Sequence, residues 1–172
     1  LHMEAELISQ TTKPFHTYVH KITPDCLPTP SADKTTIIIQ GFPYDEGTVI
    51  NGGRAGAERG PLFFRGALEK SHHYAFQNID KVQLFDNGDV HNSMTDTAFT
   101  LPEAHKVLEA TVNSLYKYEN AIPFVIGGSN DESYCNAKGL ITAYPKARIA
   151  AINIDAHFDV RPLKDGKAHS GS

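Results

Sequence analysis

Apolar runs alternate with helically spaced apolar positions along most of this chain, and that alternation predicts its architecture. Lys34 to Gln40, with Ile37-Ile38-Ile39 at its centre, reads as a buried strand because β-branched residues follow one another without polar alternation. It leads into Gly41–Glu46 and a glycine-rich loop from Asn51 to Gly60. Pro61 marks a helix start, where its missing N–H costs nothing. Leu62, Phe63, Arg65 and Leu68 continue it as a helix with one apolar side. Val82 to Phe85 is a second short strand, ending in Asp86-Asn87-Gly88-Asp89-Val90. From Leu101 to Tyr118, Ala104, Val107, Leu108, Thr111, Val112 and Leu115 keep the three-four spacing of one buried helix face. Ile122 to Ile126 is a third strand, broken at Gly127-Gly128. Asp131 to Ala143 is a helix with Tyr134, Ala137 and Ile141 facing inwards, and Ile149 to Ile154 is a fourth strand.

Strand alternating with helix predicts an α/β domain over residues 34–172: a parallel sheet with helices on both faces. Residues 1–33 form an N-terminal arm, polar and punctuated by Pro14, Pro24, Pro28 and Pro30, with Leu1-His2-Met3 reading as a cloning remnant. At 172 residues, 40% hydrophobic and 21% charged, the chain suits one soluble domain. A formal charge of −4, with no Lys/Arg cluster longer than a pair, argues against a nucleic-acid partner. Neither a membrane-spanning apolar stretch nor a secretory signal pattern is visible, so no membrane role is expected. Cys26 and Cys135 make no disulfide framework; a cytoplasmic location and small, semi-buried thiols are the expectation.

Chemistry concentrates at two strand ends. Asp155-Ala156-His157-Phe158-Asp159 follows the apolar run Ala147–Ile154 and sets two carboxylates and an imidazole within five residues. Open α/β sheets bind ligands beyond the carboxyl ends of their strands. Hard oxygen donors with one borderline nitrogen suit Mn²⁺ better than a soft-ligand metal. The bland alternative is an exposed polar turn. At the end of the third strand, Gly127-Gly128-Ser129-Asn130-Asp131-Glu132 offers further oxygen donors, which taken alone read rather as a helix cap. The two turns together favour a ligand site on one rim. His16, His20, His72, His73, His91 and His105 lack ligand-like spacing and read as surface or packing residues.

Gly-Gly-Ser-Asn-Asp followed by Asp-Ala-His-Phe-Asp resembles the ureohydrolase family of arginases, agmatinases and formiminoglutamases. Asn51-Gly52-Gly53-Arg54 leading into Gly60-Pro61 and Arg65, Asp86–Asp89, and Arg161 with Gly166–Gly171 fall in the family's order over residues 34–172. The resemblance implies an arginase-like fold with two Mn²⁺ ions per active site, hydrolysing a guanidine or formimino C–N bond. By the same resemblance, Asp155, His157 and Asp159 are metal ligands and His169 is the active-site proton shuttle, a role its ordinary pKa near 6.5 suits. Asn130 stands where arginases place a histidine ligand; its amide oxygen still suits Mn²⁺, and an asparagine there is similar to formiminoglutamases.

Arg161, two residues beyond Asp159, suits bidentate grip of a substrate carboxylate, and Arg54, with Asn51 beside it in the glycine loop, suits the second. Surface ion pairs are the alternative for both arginines. Formiminoglutamate carries two carboxylates and agmatine none, so the expected reaction is cleavage of N-formimino-L-glutamate to glutamate and formamide, a step of histidine degradation. The rivals are a guanidino substrate and a catalytically silent, structural or regulatory relative. The family's later Asp-x-Asp pair has no counterpart up to Ser172, so the chain is expected to be the N-terminal part of the fold, truncated at its C-terminus and short of a full two-metal ligand set. Relatives assemble as trimers or hexamers, which implies a homo-oligomer.

Overall fold

A computed structural model of the chain describes residues 19–71, 79–91 and 99–159. Its centre is a four-stranded, wholly parallel sheet in the order β1-β3-β2-β4. The strands are β1 (Val19–Lys21), β2 (Thr35–Phe42), β3 (Val82–Asp89) and β4 (Ala121–Gly127). Helices α1 (Glu46–Ile50), α2 (Gly60–Lys70), α3 (Leu101–Leu115) and α4 (Glu132–Ala143) lie between and after them.

Strand β2 is the axis of the sheet, hydrogen-bonded to β3 on one side and β4 on the other. On one sheet face Ile38, Phe42, Phe85 and Ala121 pack beneath α3, whose Leu108, Val112 and Leu115 are buried as the spacing predicts. A capping box starts this helix: the Thr100 N–H donates to Glu103 Oε2 at 2.9 Å, so a donor with no intrahelical partner is satisfied by the side chain three residues on. On the other face α2 meets the sheet, with Phe64 against Phe124 at 6.0 Å between ring centroids. The α/β expectation of helices on both faces of a parallel sheet therefore holds.

Four details of the elements that do form differ from the pattern reading. Val19–Lys21, inside the expected arm, adds β1 at the sheet edge against Leu84–Asp86. Three residues with one apolar side chain carry no periodicity to read. Strand β3 runs on to Asp89, through polar residues held by side-chain bonds. On α2, Leu62 and Phe63 are exposed and Pro61 is the buried residue. On α4, Cys135 and Gly139 turn inwards, while Tyr134 and Ile141 are exposed and Ala137 lies with them outside the core. Gly139 allows α4 to press onto Val112, whose Cβ lies 2.8 Å from where a Gly139 Cβ would stand. Close helix approach through a small residue won over the larger apolar stripe.

The expected strand Ile149–Ile154 does not form. The segment has no ladder partner among the described residues, and Ile152 and Ile154 are 89% and 95% exposed. β-branched residues favour an extended backbone, but only a neighbouring strand makes it a strand. No helix among the described residues is long and apolar enough to cross a membrane.

Candidate metal centre

Because the sheet is parallel, the carboxyl ends of β2, β3 and β4 share one rim: Phe42 pairs with Gly127, and Gly41 with Asp89. Each strand delivers a polar turn there. Beyond β2, Asp45 accepts the Gly56 N–H at 2.6 Å and ties down the glycine loop. Burial opposes the charge on Asp45, but hydrogen bonds from Glu58 and the loop N–H groups keep its carboxyl below the usual range. Gly52 and Gly56 sit at φ +79° and +121°, which only glycine adopts readily. Arg54 in this loop is exposed and Asn51, the residue after α1, is half-buried.

At the end of β3 stands a clamp that the sequence reading passed over. The Arg65 guanidinium, from α2, donates two bonds to Asp86, at 2.7 and 2.8 Å, and one to Asp89 at 2.7 Å. Burial works against the Asp86 charge, yet the Arg65 bonds outweigh it and hold the carboxyl below its usual range. Asp89 reaches over β2 because Gly41 has no side chain; a Cβ there would run into its carboxylate. The signal for this clamp was Asp86 and Asp89 three residues apart, with one arginine in the preceding helix.

Beyond β4, Gly128 lets the turn Ser129–Asp131 lie against Tyr44. The Ser129 N–H donates to the Tyr44 carbonyl at 3.0 Å. A Cβ on Gly128 would run into that carbonyl oxygen and stand 2.9 Å from its carbon. Gly128→Ala is therefore expected to lower stability by about 2 kcal/mol, read as a shifted denaturant midpoint at unchanged slope. A variant as stable as the wild type contradicts the close approach.

Neither Ser129 nor Asn130 caps α4. The N-cap residue is Asp131, and it makes no side-chain cap bond. The Asp131 carboxylate instead lies between the Ser129 hydroxyl and the His105 imidazole, both in very short contacts. Burial would raise its pKa, but the His105 and Ser129 bonds prevail and hold it below the usual range. His105, expected to be a surface or packing residue, does pack on Phe42 and in addition contacts the Asp131 carboxylate through its ring nitrogen. Glu132 shows the opposite balance: burial, with the Asp131 charge added, pushes its carboxyl up to about 7, and its Oε2 is buried without a hydrogen-bond partner. The thiol of Cys135 is pushed up to about 12 by burial and the nearby carboxylates, so it is unreactive. Both cysteines are free.

Asn130 and Asp159 meet across 29 residues of sequence: the Asn130 amide donates to Asp159 Oδ2 at 2.8 Å. Asp159 holds φ +50°, an uncommon conformation for a non-glycine residue that Asp and Asn adopt more readily than others. The Asn130 Oδ1 accepts the Ser133 hydroxyl at 3.0 Å. Asp155 and His157 form a separate pair, the Asp155 carboxylate accepting the His157 N–H at 2.7 Å and facing its Nδ1 at 3.2 Å. Both are exposed. The four residues fit Mn²⁺ by donor type: two carboxylates, an amide and an imidazole. Their placement is partial. Asn130 and Asp159 are together, Asp155 and His157 are together, and no three His, Cys, Asp or Glu groups among the described residues converge on one point. Arg161 and His169 lie outside the described residues.

Comparison with known proteins agrees with this architecture. The family model described as the arginase family matches residues 35–172. A formimidoylglutamase of Streptococcus gordonii is 35% identical over 136 residues, 77% of this chain and 38% of that protein. One of Clostridium tetani is 33% identical over 147 residues, 83% of this chain and 41% of that protein. Among solved structures, Trypanosoma cruzi formiminoglutamase with Mn²⁺ superposes with a TM-score of 0.66 at 44% identity, covering 80% of this chain and 45% of that one. Bacillus subtilis formimidoylglutamase, at 23% identity and a TM-score of 0.69, shares the fold over 94% of this chain. The chain spans about two-fifths of the length of the curated relatives it matches. With its parallel sheet, its polar rim and a matching family model over most of its length, the chain belongs to the arginase family.

Proposed function

We propose that the protein to which this chain belongs is a manganese-dependent formiminoglutamase, hydrolysing N-formimino-L-glutamate to glutamate and formamide in cytoplasmic histidine degradation. The observation that carries the reading is the Asn130–Asp159 contact, which joins the two motif-bearing turns at one rim. The names of the relatives support the substrate, and the Trypanosoma cruzi structure supports the metal.

In this reading Asn130, Asp155, His157 and Asp159 hold the metal, two ions per site once further ligands are in place. When bound, the metal supplies Lewis acidity that lowers the pKa of a water at the site. The chain's own residues do the rest. Arg161 and Arg54, with Asn51, orient the two substrate carboxylates, an arrangement a guanidinium fork favours. His169 delivers a proton to the departing glutamate nitrogen. Water adds across the formimino carbon, the C–N bond to glutamate breaks, and formamide leaves, so atoms balance with one water consumed.

The test supplies Mn²⁺-loaded protein with N-formimino-L-glutamate, arginine and agmatine separately. Glutamate and formamide in equal amounts support the proposal. Urea from a guanidino substrate assigns the chain to the rival activity, and metal binding without turnover of any of the three favours a silent relative.

A further inference from the structure

We propose that His105 is a positioning residue: from α3 it fixes, through Asp131, the turn that presents Asn130 to Asp159. This inference deepens the metal-site reading and rests on it. Three observations point there. The Asp131 side chain is only 5% exposed, and its carboxylate is shared between His105 Nε2 and the Ser129 hydroxyl, so it anchors the residues on both sides of Asn130. The His105 ring is itself held by the core, lying at 20° to the Phe42 ring with centroids 5.8 Å apart, and Phe42 is fully buried. Asn130, by contrast, is exposed, and its side-chain bonds go to Ser133 in the first turn of α4 and to Asp159. A ligand on a short exposed turn keeps its geometry only if supporting groups lock it. Here the support runs from the buried end of β2, through an imidazole–carboxylate bond in a desolvated position, to the residue beside the ligand.

A second polar link between α3 and α4 provides the control. Lys138 bridges Glu109 at 3.1 Å, one helical turn from His105 and on a more exposed part of the same interface. If His105 merely glued the helices together, breaking either link would have the same consequence.

Two substitutions separate the hydrogen bond from the packing. His105→Phe keeps a ring against Phe42 and removes the ring nitrogens, whereas His105→Gln keeps an N–H donor and loses the ring. Hydrogen exchange at the Glu132 and Ser133 amides, which donate to the Ser129 and Asn130 carbonyls, reads the turn directly. His105→Phe is expected to speed that exchange roughly tenfold, and His105→Gln and Glu109→Gln to leave it within about twofold of wild type. The Mn²⁺ dissociation constant of the full chain follows the same order, about tenfold weaker for His105→Phe. Asp131→Asn, nearly isosteric, moves both readouts in the same direction and serves if His105→Phe does not fold.

Loosening by His105→Gln but not by His105→Phe overturns the proposal in favour of ring packing. Equal loosening by Glu109→Gln overturns it in favour of general helix contact. Faster exchange with unchanged Mn²⁺ affinity also overturns it, since the turn would then be held for the fold alone. If the wild-type chain binds no Mn²⁺, the metal reading is lost, and the exchange comparison still decides whether His105 fixes the turn.

Discussion

Arg65→Met is expected to destabilise the protein by about 3 kcal/mol at neutral pH. Methionine replaces most of the aliphatic volume, so the loss isolates the charge. What remains is Asp86, with its side chain 12% exposed, and Asp89 at 38%, facing each other without the guanidinium that joins them. Breaking a buried pair from one side costs more than the pair contributed, because the partner charge stays desolvated. The exposure of Asp89 and of Arg65 itself brings the figure below the full burial limit. The pH dependence carries a definite sign. The folded-state pKa of Asp86 lies below its ordinary 3.8, so the pair's contribution is complete above that pH and is lost as pH falls through the lower folded value. In the variant, unpaired Asp86 prefers to be protonated. The difference between the two proteins should therefore shrink on acidification below about pH 4. Urea titrations at pH 7 and pH 3.5 check both points, and a variant within 1 kcal/mol of wild type at neutral pH contradicts the clamp.

Asp159→Ala is expected to weaken Mn²⁺ binding by at least about a hundredfold, while Arg54→Ala leaves it unchanged. Asp159 is the carboxylate that joins the last motif to the β4 turn, and it occupies a left-handed backbone conformation next to its partner. Alanine removes an oxygen donor, and among the described residues no other carboxylate is hydrogen-bonded to Asn130 to replace it. Arg54 lies exposed in the glycine loop and is proposed as a substrate contact, not a ligand. Calorimetric titration of the three proteins distinguishes these roles. Equal affinity for wild type and Asp159→Ala would remove Asp159 from the ligand set.

The elements with strong periodicity were legible in the sequence. Helix α3 repeats its apolar residues over four turns and ends up buried along the expected face, and the isoleucine run of β2 is the sheet's axis. Pro61 opens α2 as expected, but Leu62 and Phe63 do not face the sheet. Periodicity gives the stripe; which neighbour covers it is a tertiary matter. The same distinction explains Ile149–Ile154, where composition specifies an extended backbone without specifying a partner strand. In the site, the motifs pointed to Asn130 and Asp159 and to one shared rim for their turns; the direct bond between the two side chains, across 29 residues, is what the structure adds. His105 was invisible for the opposite reason. It belongs to no motif, and its partner Asp131 reads from sequence as an ordinary helix-capping carboxylate.

Paramagnetic broadening of assigned NMR signals by substoichiometric Mn²⁺ tests the metal rim most directly, because it locates the ion as well as detecting it. The account predicts broadening that is strongest at Asn130, Asp155, His157 and Asp159 and weaker at Asp86 and Asp89, which lie on β3, beyond β2 along the rim. Broadening centred on Asp86 and Asp89, or spread evenly over the acidic surface, would contradict it.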